Sequence, residues 1–164
     1  MAGEKTLLDI GSAITFRLAT VFGTSPRMRM DVLVNDFVYR AFLDRFIVLF
    51  ESHFKRNYIH IRDVASVFFH AINNYDSMKG EAYNIGLSDA NISKMELCKK
   101  IKKHLPDFHI FESDIAKDPD KRNYIVSNEK IENTNWNPDY NIDYGIKELI
   151  KAYSFLNINS YNNI

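Results

Sequence analysis

Basic side chains cluster in one short stretch of this otherwise neutral chain, which has 21 basic and 21 acidic residues. Residues 53–63 hold three cations and two histidines, namely Lys55, Arg56, Arg62, His53 and His60. A guanidinium fixed at the start of a strand beside an aromatic ring suits bidentate recognition of phosphate. The two-residue period of a strand places Tyr58 on the same side as Arg56. On spacing alone, the stretch fits either a phosphate site or a solvated strand edge.

Two further stretches carry cations that could join the same site. Residues 118–124 (DPDKRNY) contain Lys121 and Arg122 in a proline-containing loop, a pattern that is also typical of a solvated charged turn. Residues 25–29 (SPRMR) place two arginines just past the carboxyl end of a predicted strand, where ligands of α/β sheets usually bind. The joint placement of the three stretches favours an anion site.

No other arrangement of residues predicts catalysis or metal binding. The single cysteine, Cys98, lies in an apolar-periodic stretch, and we expect it to be buried and inert. The five histidines never form an H-x-x-x-H pair, so no metal site is predicted. There is no G-x-S-x-G nucleophile elbow, and Asp118 and Asp120 fit the chemistry of a turn.

Hydrophobic periodicity indicates alternating strands and helices. Strands are predicted at 14–21, 47–50, 57–61, 81–86 and 108–111, and helices at 2–11, 30–46, 63–74, 93–104, 127–133 and 144–155. The clearest boundary is a capping box formed by Ser93 and Glu96. The helix at 63–74 is expected to start at Asp63 as its N-cap and to bury one face, formed by Val64, Val67, Phe68, Ala71 and Ile72. The alternation predicts the α/β class, in one domain over 1–155 with a frayed tail at 156–164.

Several classes of protein are disfavoured by composition. The six glycines are scattered, and no G-x-G-x-x-G follows a strand, so a glycine-rich dinucleotide cradle is absent. The neutral charge balance gives no indication of binding to nucleic acid or to an anionic membrane. The first residues are too weakly apolar for a signal peptide, and no run approaches 18 apolar residues. We therefore expect a cytoplasmic protein with a local, charge-based binding site.

Five segments, in order and at matching spacing, resemble the extended short-chain dehydrogenase/reductase family, which epimerises or dehydrates nucleotide sugars with NAD. They are FRLATVFG (16–23), KRNYIHIRDVA (55–65), GEAYNIG (80–86), RNYIVSNEKI (122–131) and YGIKEL (144–149). The resemblance extends over residues 1–155. It implies the carboxyl-terminal part of that fold: the last strands of a Rossmann-like sheet with a small α/β substrate domain, and no glycine-rich dinucleotide-binding half.

The resemblance also implies that part of the family's chemistry lies outside this chain. Residues 2–5 (AGEK) are similar to the sequence that follows the family's catalytic Tyr-x-x-x-Lys, which places that pair before Met1. The Ser/Thr that polarises the sugar hydroxyl is missing as well. In the family, bound NAD transiently oxidises the sugar, often at C4, while a tyrosinate takes the hydroxyl proton. NAD is therefore the implied cofactor, and no turnover is expected from this chain alone.

Site residues follow from the same resemblance. It places Ala19 near the nicotinamide and assigns substrate contacts to Thr20, Asn35, Val48, Leu49, Phe50, Arg56, Tyr58 and Arg122. Among these, Arg56 and Arg122 would clamp the diphosphate from two sides, Asn35 would hydrogen-bond the nucleotide sugar, and residues 48–50 would flank the base. Thr20 replaces a common Asn, and residues 51–54 (ESHF) replace a glycine-rich turn, so the sugar contact and the loop over the base are expected to differ. His60 and Asp63 are expected to be structural, with His60 satisfying nearby backbone groups.

Three functional hypotheses remain open at this point. The chain is either the nucleotide-sugar-binding portion of an NAD-dependent epimerase/dehydratase, inactive without an amino-terminal half, or a non-catalytic nucleotide-sugar-binding or interaction module. The third is a remnant that binds no ligand. The expected partners are a nucleotide-diphosphate sugar and either the amino-terminal half or a homodimer mate. The edge of strand 14–21 and its flanking apolar face are expected to be exposed.

Overall fold

The computed structural model describes residues 2–113 and 122–156, and it confirms the α/β class. The strands are β1 (Thr15–Leu18), β2 (Thr20–Phe22), β3 (Phe46–Leu49), β4 (Lys55–Arg56), β5 (Tyr58–His60), β6 (Ala82–Ile85), β7 (Ile92–Ser93) and β8 (His109–Glu112). The helices are α1 (Ala2–Asp9), α2 (Leu33–Leu43), α3 (Ile61–Asn73), α4 (Tyr75–Met78), α5 (Lys94–His104), α6 (Glu129–Glu132) and α7 (Ile142–Phe155).

The predicted strand at 14–21 changes partner halfway along its length. Its first part, β1, pairs in parallel with β6, and its second part, β2, pairs in parallel with β5. The change occurs at Ala19, whose N–H donates to the carbonyl of Ile85 at 2.9 Å, while the N–H of Thr20 donates to the carbonyl of Asn57 at 3.0 Å. Neighbouring strands therefore diverge at Ala19 and Thr20, and this split is where a ligand site can open in an α/β sheet.

The strand predicted at 57–61 is β5, and a further short strand, β4, precedes it, with Asn57 as the division between the two. Before Asn57, β4 pairs antiparallel with β7, and after it, β5 pairs with β2. The buried Asn57 amide donates to the carbonyl of Leu87 at 2.7 Å. A Cβ on Gly86 would lie 1.7 Å from Asn57 Oδ1. Only glycine fits there, which explains the last residue of the GEAYNIG segment.

The main core lies between α2, α5, α7 and the strands. Its helical side chains are all apolar and almost fully buried: Val34, Val38 and Ala41 of α2, Leu97, Cys98 and Ile101 of α5, and Ile146, Leu149 and Tyr153 of α7. The Tyr153 hydroxyl donates to the carbonyl of Asn35 at 3.0 Å, which ties α7 to α2. Cys98 is a free, buried thiol whose pKa is raised by burial to about 12. An unreactive thiol follows from that environment.

Helix starts agree with the sequence at α5 and differ at α3. The capping box between Ser93 and Glu96 is present in both directions. At α3 the N-cap is His60 rather than the predicted Asp63. The Asp63 carboxylate instead accepts hydrogen bonds from the N–H groups of Asp139 and Tyr140, at 2.9 and 3.2 Å. Burial raises the pKa of Asp63, and those two backbone hydrogen bonds oppose the shift.

The outer side of α3 corrects another expectation. Val64, Val67 and Ala71 are buried, but Phe68 and Ile72, which were predicted on the same face, are 51% and 70% exposed. Together with Phe69 (69% exposed) and Leu18 of β1 (42% exposed), they form what we call the apolar face: Leu18, Phe68, Phe69 and Ile72. It lies beside β1, which pairs only with β6 among residues 2–113 and 122–156.

The remaining sequence predictions concern the chain ends and membrane spans. Helix α7 ends at Phe155, and residues 157–164 of the predicted frayed tail lie outside the described residues, as do residues 118–121 of the predicted charged loop. Within the part of the chain that is described, no helix is long and apolar enough to cross a membrane.

Candidate functional site

A cleft of about 550 Å³ opens where the strand changes partner between β1 and β2. Four segments form its walls: the strand around Ala19, the loop before α2 with the first turn of that helix, Arg56 of β4, and the stretch that starts at Arg122. The lining residues are Leu18, Ala19, Thr20, Val21, Arg29, Asp31, Val32, Leu33, Asp36, Arg56, Arg122 and Tyr124. Its size falls in the range of small-molecule sites.

Arg56 and Arg122 meet in this cleft because the chain around Arg122 runs alongside β4. The N–H of Tyr124 donates to the carbonyl of Lys55 at 3.1 Å, and the N–H of Lys55 donates to the side-chain oxygen of Asn123 at 3.0 Å. On the other side, β4 pairs with β7, which leaves Arg56 only 2% exposed. Two arginines from distant parts of the sequence therefore line one cavity.

Asparagine side chains hold the rest of this stretch, which has no regular secondary structure. Asn91 donates to the carbonyl of Val126 and accepts from its N–H, both at 2.9 Å, as a strand neighbour would. Asn84 donates to the carbonyl of Ser127 at 3.1 Å. The sequence analysis missed these residues. The sequence indicates them indirectly, because asparagines stand in or near three of the family-like segments. An asparagine amide can take the place of the backbone hydrogen bonds of a neighbouring strand.

The loop on the opposite wall carries an ion pair between Arg29 and Asp31. Asn35 holds the backbone of this loop. Its side-chain oxygen accepts a hydrogen bond from the N–H of Gly23 at 3.1 Å. Its side-chain amide donates to the carbonyls of Gly23 and Arg29, at 3.2 and 2.8 Å. Asn35 is buried and does not line the cleft. The structure thus gives Asn35 a backbone-anchoring contact where the sequence predicted a ligand contact.

Cationic side chains outnumber carboxylates on the cleft wall. Three arginines line it against two aspartates, Asp31 and Asp36. Arg29 pairs with Asp31, and Arg40 on the next turn of α2 donates from Nε to both carboxylate oxygens of Asp36, at 2.9 Å each. The described lining residues therefore carry a formal charge of +1 (three arginines and two aspartates), which favours an anionic ligand.

Other predicted site residues lie elsewhere. Tyr58 is fully buried behind the wall, burial raises its pKa, and its hydroxyl finds no hydrogen-bond partner among the described residues. Val48 is exposed on the β3–β8 pair, whereas Leu49 is in the core, and neither they nor Phe50 line the cleft. Leu49 packs in the core, and the base contacts of residues 48–50 stay a prediction. The structure brings together Ala19, Thr20, Arg56 and Arg122 from the predicted set.

His60 is structural in this arrangement, as predicted. It is fully buried, and its Nδ1 accepts from the N–H of Arg62 at 3.3 Å, which satisfies a backbone group at the start of α3. Since Nδ1 is the acceptor, Nε2 carries the proton and donates to Glu148 Oε2 at 3.0 Å. The rings of Phe22 and Tyr140 pack around the imidazole, with centroids 5.3 and 4.9 Å away.

The glycines of this chain do not fit the pyrophosphate of a dinucleotide. A Cβ on Gly23 would lie 2.6 Å from His60 Nε2, and one on Gly145 would lie 2.2 Å from the Phe22 ring. These two positions and Gly86 are already filled by protein side chains. Of the other three glycines, Gly3 is inside α1, and Gly11 and Gly80 lie in turns remote from any strand-to-helix cradle. Any NAD bound beside Ala19 would need its pyrophosphate held by other residues.

Comparisons with known proteins agree with the family resemblance found in the sequence. Residues 9–86 match the sequence model of the NAD dependent epimerase/dehydratase family. The fold matches dTDP-glucose 4,6-dehydratase from Bacillus anthracis in complex with NAD (TM-score 0.77, 22% identity), with 98% of this chain and 51% of that chain covered. It also matches UDP-glucose 4-epimerase from Thermus thermophilus in complex with NAD (0.76, 19% identity; 94% and 52%). A third match is ADP-L-glycero-D-manno-heptose-6-epimerase from Helicobacter pylori (0.73, 22%; 93% and 48%).

The fold and the cleft define an α/β chain with the last strands of a Rossmann-like sheet and an arginine-lined cavity at a strand switch. The match of residues 9–86 to the family model and the match of the fold to these structures agree with the family resemblance of the sequence. It spans about half the length of the solved structures that it matches. NAD as the family's cofactor agrees with the name of the family and with the two NAD complexes.

Proposed function

We propose that this chain forms the nucleotide-sugar-binding side of an NAD-dependent nucleotide-sugar epimerase or dehydratase. The observation that carries the proposal is the meeting of Arg56 and Arg122 in one cleft beside Ala19 and Thr20. A diphosphate between two guanidinium groups would receive charge-assisted hydrogen bonds from both sides. Each such bond contributes about 1.5–3 kcal/mol.

Burial makes Arg56 the stronger of the two contacts in this proposal. Its side chain is 2% exposed and is held in the wall by the pairing of β4, so little side-chain freedom is lost when a ligand binds. Arg122 follows residues outside the described range and is anchored through its neighbours Asn123 and Tyr124. Arg56 fixes the phosphate position, and Arg122, on the stretch that is hydrogen-bonded to β4, contacts the same phosphates.

The sugar lies at the strand split in this proposal. Ala19 has no side-chain bulk beyond Cβ, which leaves space for a flat nicotinamide ring, and the Thr20 hydroxyl can donate to or accept from a sugar hydroxyl. Among the described residues, Tyr124 is the one aromatic residue on the cleft wall, and in this proposal it offers a stacking surface for the base. A ligand with a sugar at one end, phosphates in the middle and a base at the other matches this order.

The oxidation chemistry requires groups that this chain does not supply. Bound NAD would provide the hydride acceptor, and its pyrophosphate has no cradle among the six glycines. We expect the chain by itself to reduce no NAD when mixed with nucleotide sugars. In this proposal the protein is cytoplasmic and works with an amino-terminal dinucleotide-binding half or with a second copy.

A nuclear magnetic resonance titration with UDP-glucose and GDP-mannose tests the proposal, because amide shifts report weak binding and its location. We expect saturable shifts for Ala19, Thr20, Arg56 and Tyr124. Shifts should be absent from Asp76 and Lys79, which are exposed, do not line the cleft and serve as internal controls. Saturable shifts located only outside the cleft, or none at millimolar ligand, would contradict the proposal.

One observation favours a second candidate, a non-catalytic binding module. Hydrogen bonds within this chain hold the cleft wall, from Tyr124 to Lys55 and from Asn35 to Arg29, so binding could occur without a dinucleotide-binding half. The two candidates differ in their response to NAD. A module binds nucleotide sugar equally well with and without NAD, whereas an enzyme half gains affinity only when a dinucleotide-binding half and NAD are both present.

A further inference from the structure

Glu148, on α7, contacts the loop that leads to the cleft but does not itself line the cleft. Its Oε2 accepts from the N–H of Thr24 at 3.2 Å and from His60 Nε2 at 3.0 Å. Its Oε1 pairs with Arg62 at 2.6 Å. One carboxylate therefore joins α7, the start of α3 and the first turn of the loop.

The loop in question, residues 23–31, is held at two points. Near its start, Glu148 binds Thr24, and the Asn35 side chain binds both the N–H and the carbonyl of Gly23. Near its end, Asn35 binds the carbonyl of Arg29. Arg29 is one of the three arginines on the cleft wall, so the loop's anchors decide where that cation stands.

This loop is also a wall shared by two cavities. On the side away from the cleft lies a groove of about 990 Å³, lined by Thr24, Pro26 and Met28 of the loop and by Glu148. On the cleft side lie Arg29 and Asp31. A shift of the loop toward the groove would therefore withdraw Arg29 from the cleft.

We infer that Glu148 is a positioning residue for the anion-binding cleft, acting through Thr24 on the placement of Arg29. The inference rests on the proposed function for the binding of a phosphate-containing ligand in the cleft. The effect of Glu148 on the loop is independent of any ligand. His60 belongs to the same device: it is fully buried, and its Nε2 proton is directed at the carboxylate. Asn35 supplies the second anchor.

The charge of Glu148 is part of this role. Burial by itself would raise its pKa, but the hydrogen bonds from Thr24 and His60 outweigh burial, and the pKa lies below its ordinary value. The folded state thus holds the ionised form more firmly than the unfolded state does. Its stabilisation is present above the unfolded pKa and is lost as pH falls through the folded pKa. The other charged groups facing it are Arg62 and, across His60, the Asp63 carboxylate.

Limited trypsin digestion measures the loop directly, because the Arg27–Met28 bond lies within it and Arg27 is exposed. Under native conditions the cleavage rate follows the population of the open loop. Glu148→Gln should raise cleavage after Arg27 roughly tenfold relative to cleavage after Arg45, the change expected from losing a charge-assisted hydrogen bond. Glu148→Asp, which keeps the charge on a shorter side chain, should fall between wild type and Glu148→Gln.

Asp143→Asn is the matched control on the same helix. Asp143 pairs with Lys100 and His104, at 2.8 and 3.2 Å, and in the described part of the chain its carboxylate makes no hydrogen bond or ion pair to the loop. It should lower the unfolding midpoint without changing cleavage after Arg27. Equal cleavage in Glu148→Gln and Asp143→Asn, or in Glu148→Gln and wild type, would overturn the inference.

Titration of the same variants with UDP separates this inference from the proposed function. We expect Glu148→Gln to bind UDP several-fold more weakly than wild type, and Asp143→Asn to bind it equally well. If wild type binds no UDP while Glu148→Gln still releases the loop, the positioning of the loop stands and the nucleotide function falls. If UDP binds wild type and Glu148→Gln equally and the loop stays protected, the positioning role falls and the nucleotide function stands.

Discussion

The cleft and the apolar face lie near the same strand, β1, but they differ in how far the rest of this chain covers their side chains. At the cleft, buried polar groups such as Arg56 and Asn35 sit among anchors that this chain supplies from β4, α2 and the stretch after Arg122. At the apolar face, Phe69 and Ile72 are about two-thirds exposed. The difference is that side chains of this chain hold the cleft wall, whereas the α3 side leaves large apolar side chains uncovered among the described residues.

The edge of β1 supports the same comparison. Parallel sheets are normally covered on both faces and continue on both sides of a central strand. Here β1 has a neighbour on one side among the described residues, and Leu18 is exposed at its end. The chain spans about half the length of its solved relatives. A unit that extended the sheet beyond β1 would cover Leu18 and Phe68 together.

The largest expected effect comes from breaking the frame of the cleft at Gly86. In Gly86→Ala the new Cβ would lie 1.7 Å from Asn57 Oδ1 and 3.0 Å from Asn128 Oδ1, both buried. We expect a loss of at least about 3 kcal/mol in the free energy of unfolding. Chemical denaturation followed by circular dichroism measures it.

Gly3→Ala is the control for that substitution. A Cβ at Gly3 meets nothing within 4 Å, and the residue lies in α1, so alanine should be neutral or stabilising by up to about 1 kcal/mol. If Gly86→Ala were as stable as Gly3→Ala, the frame around Asn57 would have to be more adaptable than its hydrogen bonds indicate.

Substitution of Arg56 tests ligand binding by the cleft and should disturb the surrounding structure less than Gly86→Ala does. Arg56→Ala should weaken the binding of UDP-glucose by roughly 10- to 100-fold, because one charge-assisted contact to the phosphates is lost. Arg45→Ala removes an exposed arginine that pairs with Asp107, 2.9 Å away, and should leave the affinity unchanged. Calorimetric titration of both variants gives the two affinities. Equal losses would mean that general charge, and not the cleft, attracts the ligand.

The smallest effect on stability is expected at the apolar face. Phe69→Glu and Ile72→Lys replace exposed side chains, so each should change the free energy of unfolding by no more than about 0.5 kcal/mol. They should nevertheless reduce self-association, which sedimentation velocity measures as a shift toward monomer at high protein concentration. If the wild-type chain were monomeric at every concentration and the variants behaved identically, the apolar face would not be a self-association surface.

Local patterns in the sequence predicted most of the elements and much less of their pairing. The capping box at Ser93, the α/β alternation and the helix at 144–155 are present because each depends on neighbouring residues. The divisions at Ala19 and Asn57 were not predicted, since a change of strand partner depends on segments far away in the chain. The face of α3 was predicted wrongly because apolar spacing does not distinguish the core from an exposed surface.

The site shows the same limit. The motif residues Arg56 and Arg122 could be named from the sequence, and the structure places both on the cleft. The roles predicted for Asn35 and Leu49 did not account for tertiary contacts, because the hydrogen bonds of Asn35 to the loop and the burial of Leu49 arise only in the folded chain. Glu148 lies in the YGIKEL segment, but its contacts were not predicted, since its partners Thr24 and His60 are remote in sequence.

The most direct measurement of the two-arginine clamp compares UDP with UMP by calorimetric titration in wild type, Arg56→Ala, Arg122→Ala and the double variant. A clamp on linked phosphates predicts that wild type prefers UDP by at least about tenfold, that each single variant loses most of this preference, and that the double variant loses little more. A preference for UDP that survives in the double variant would contradict the account, as would equal binding of UDP and UMP by wild type.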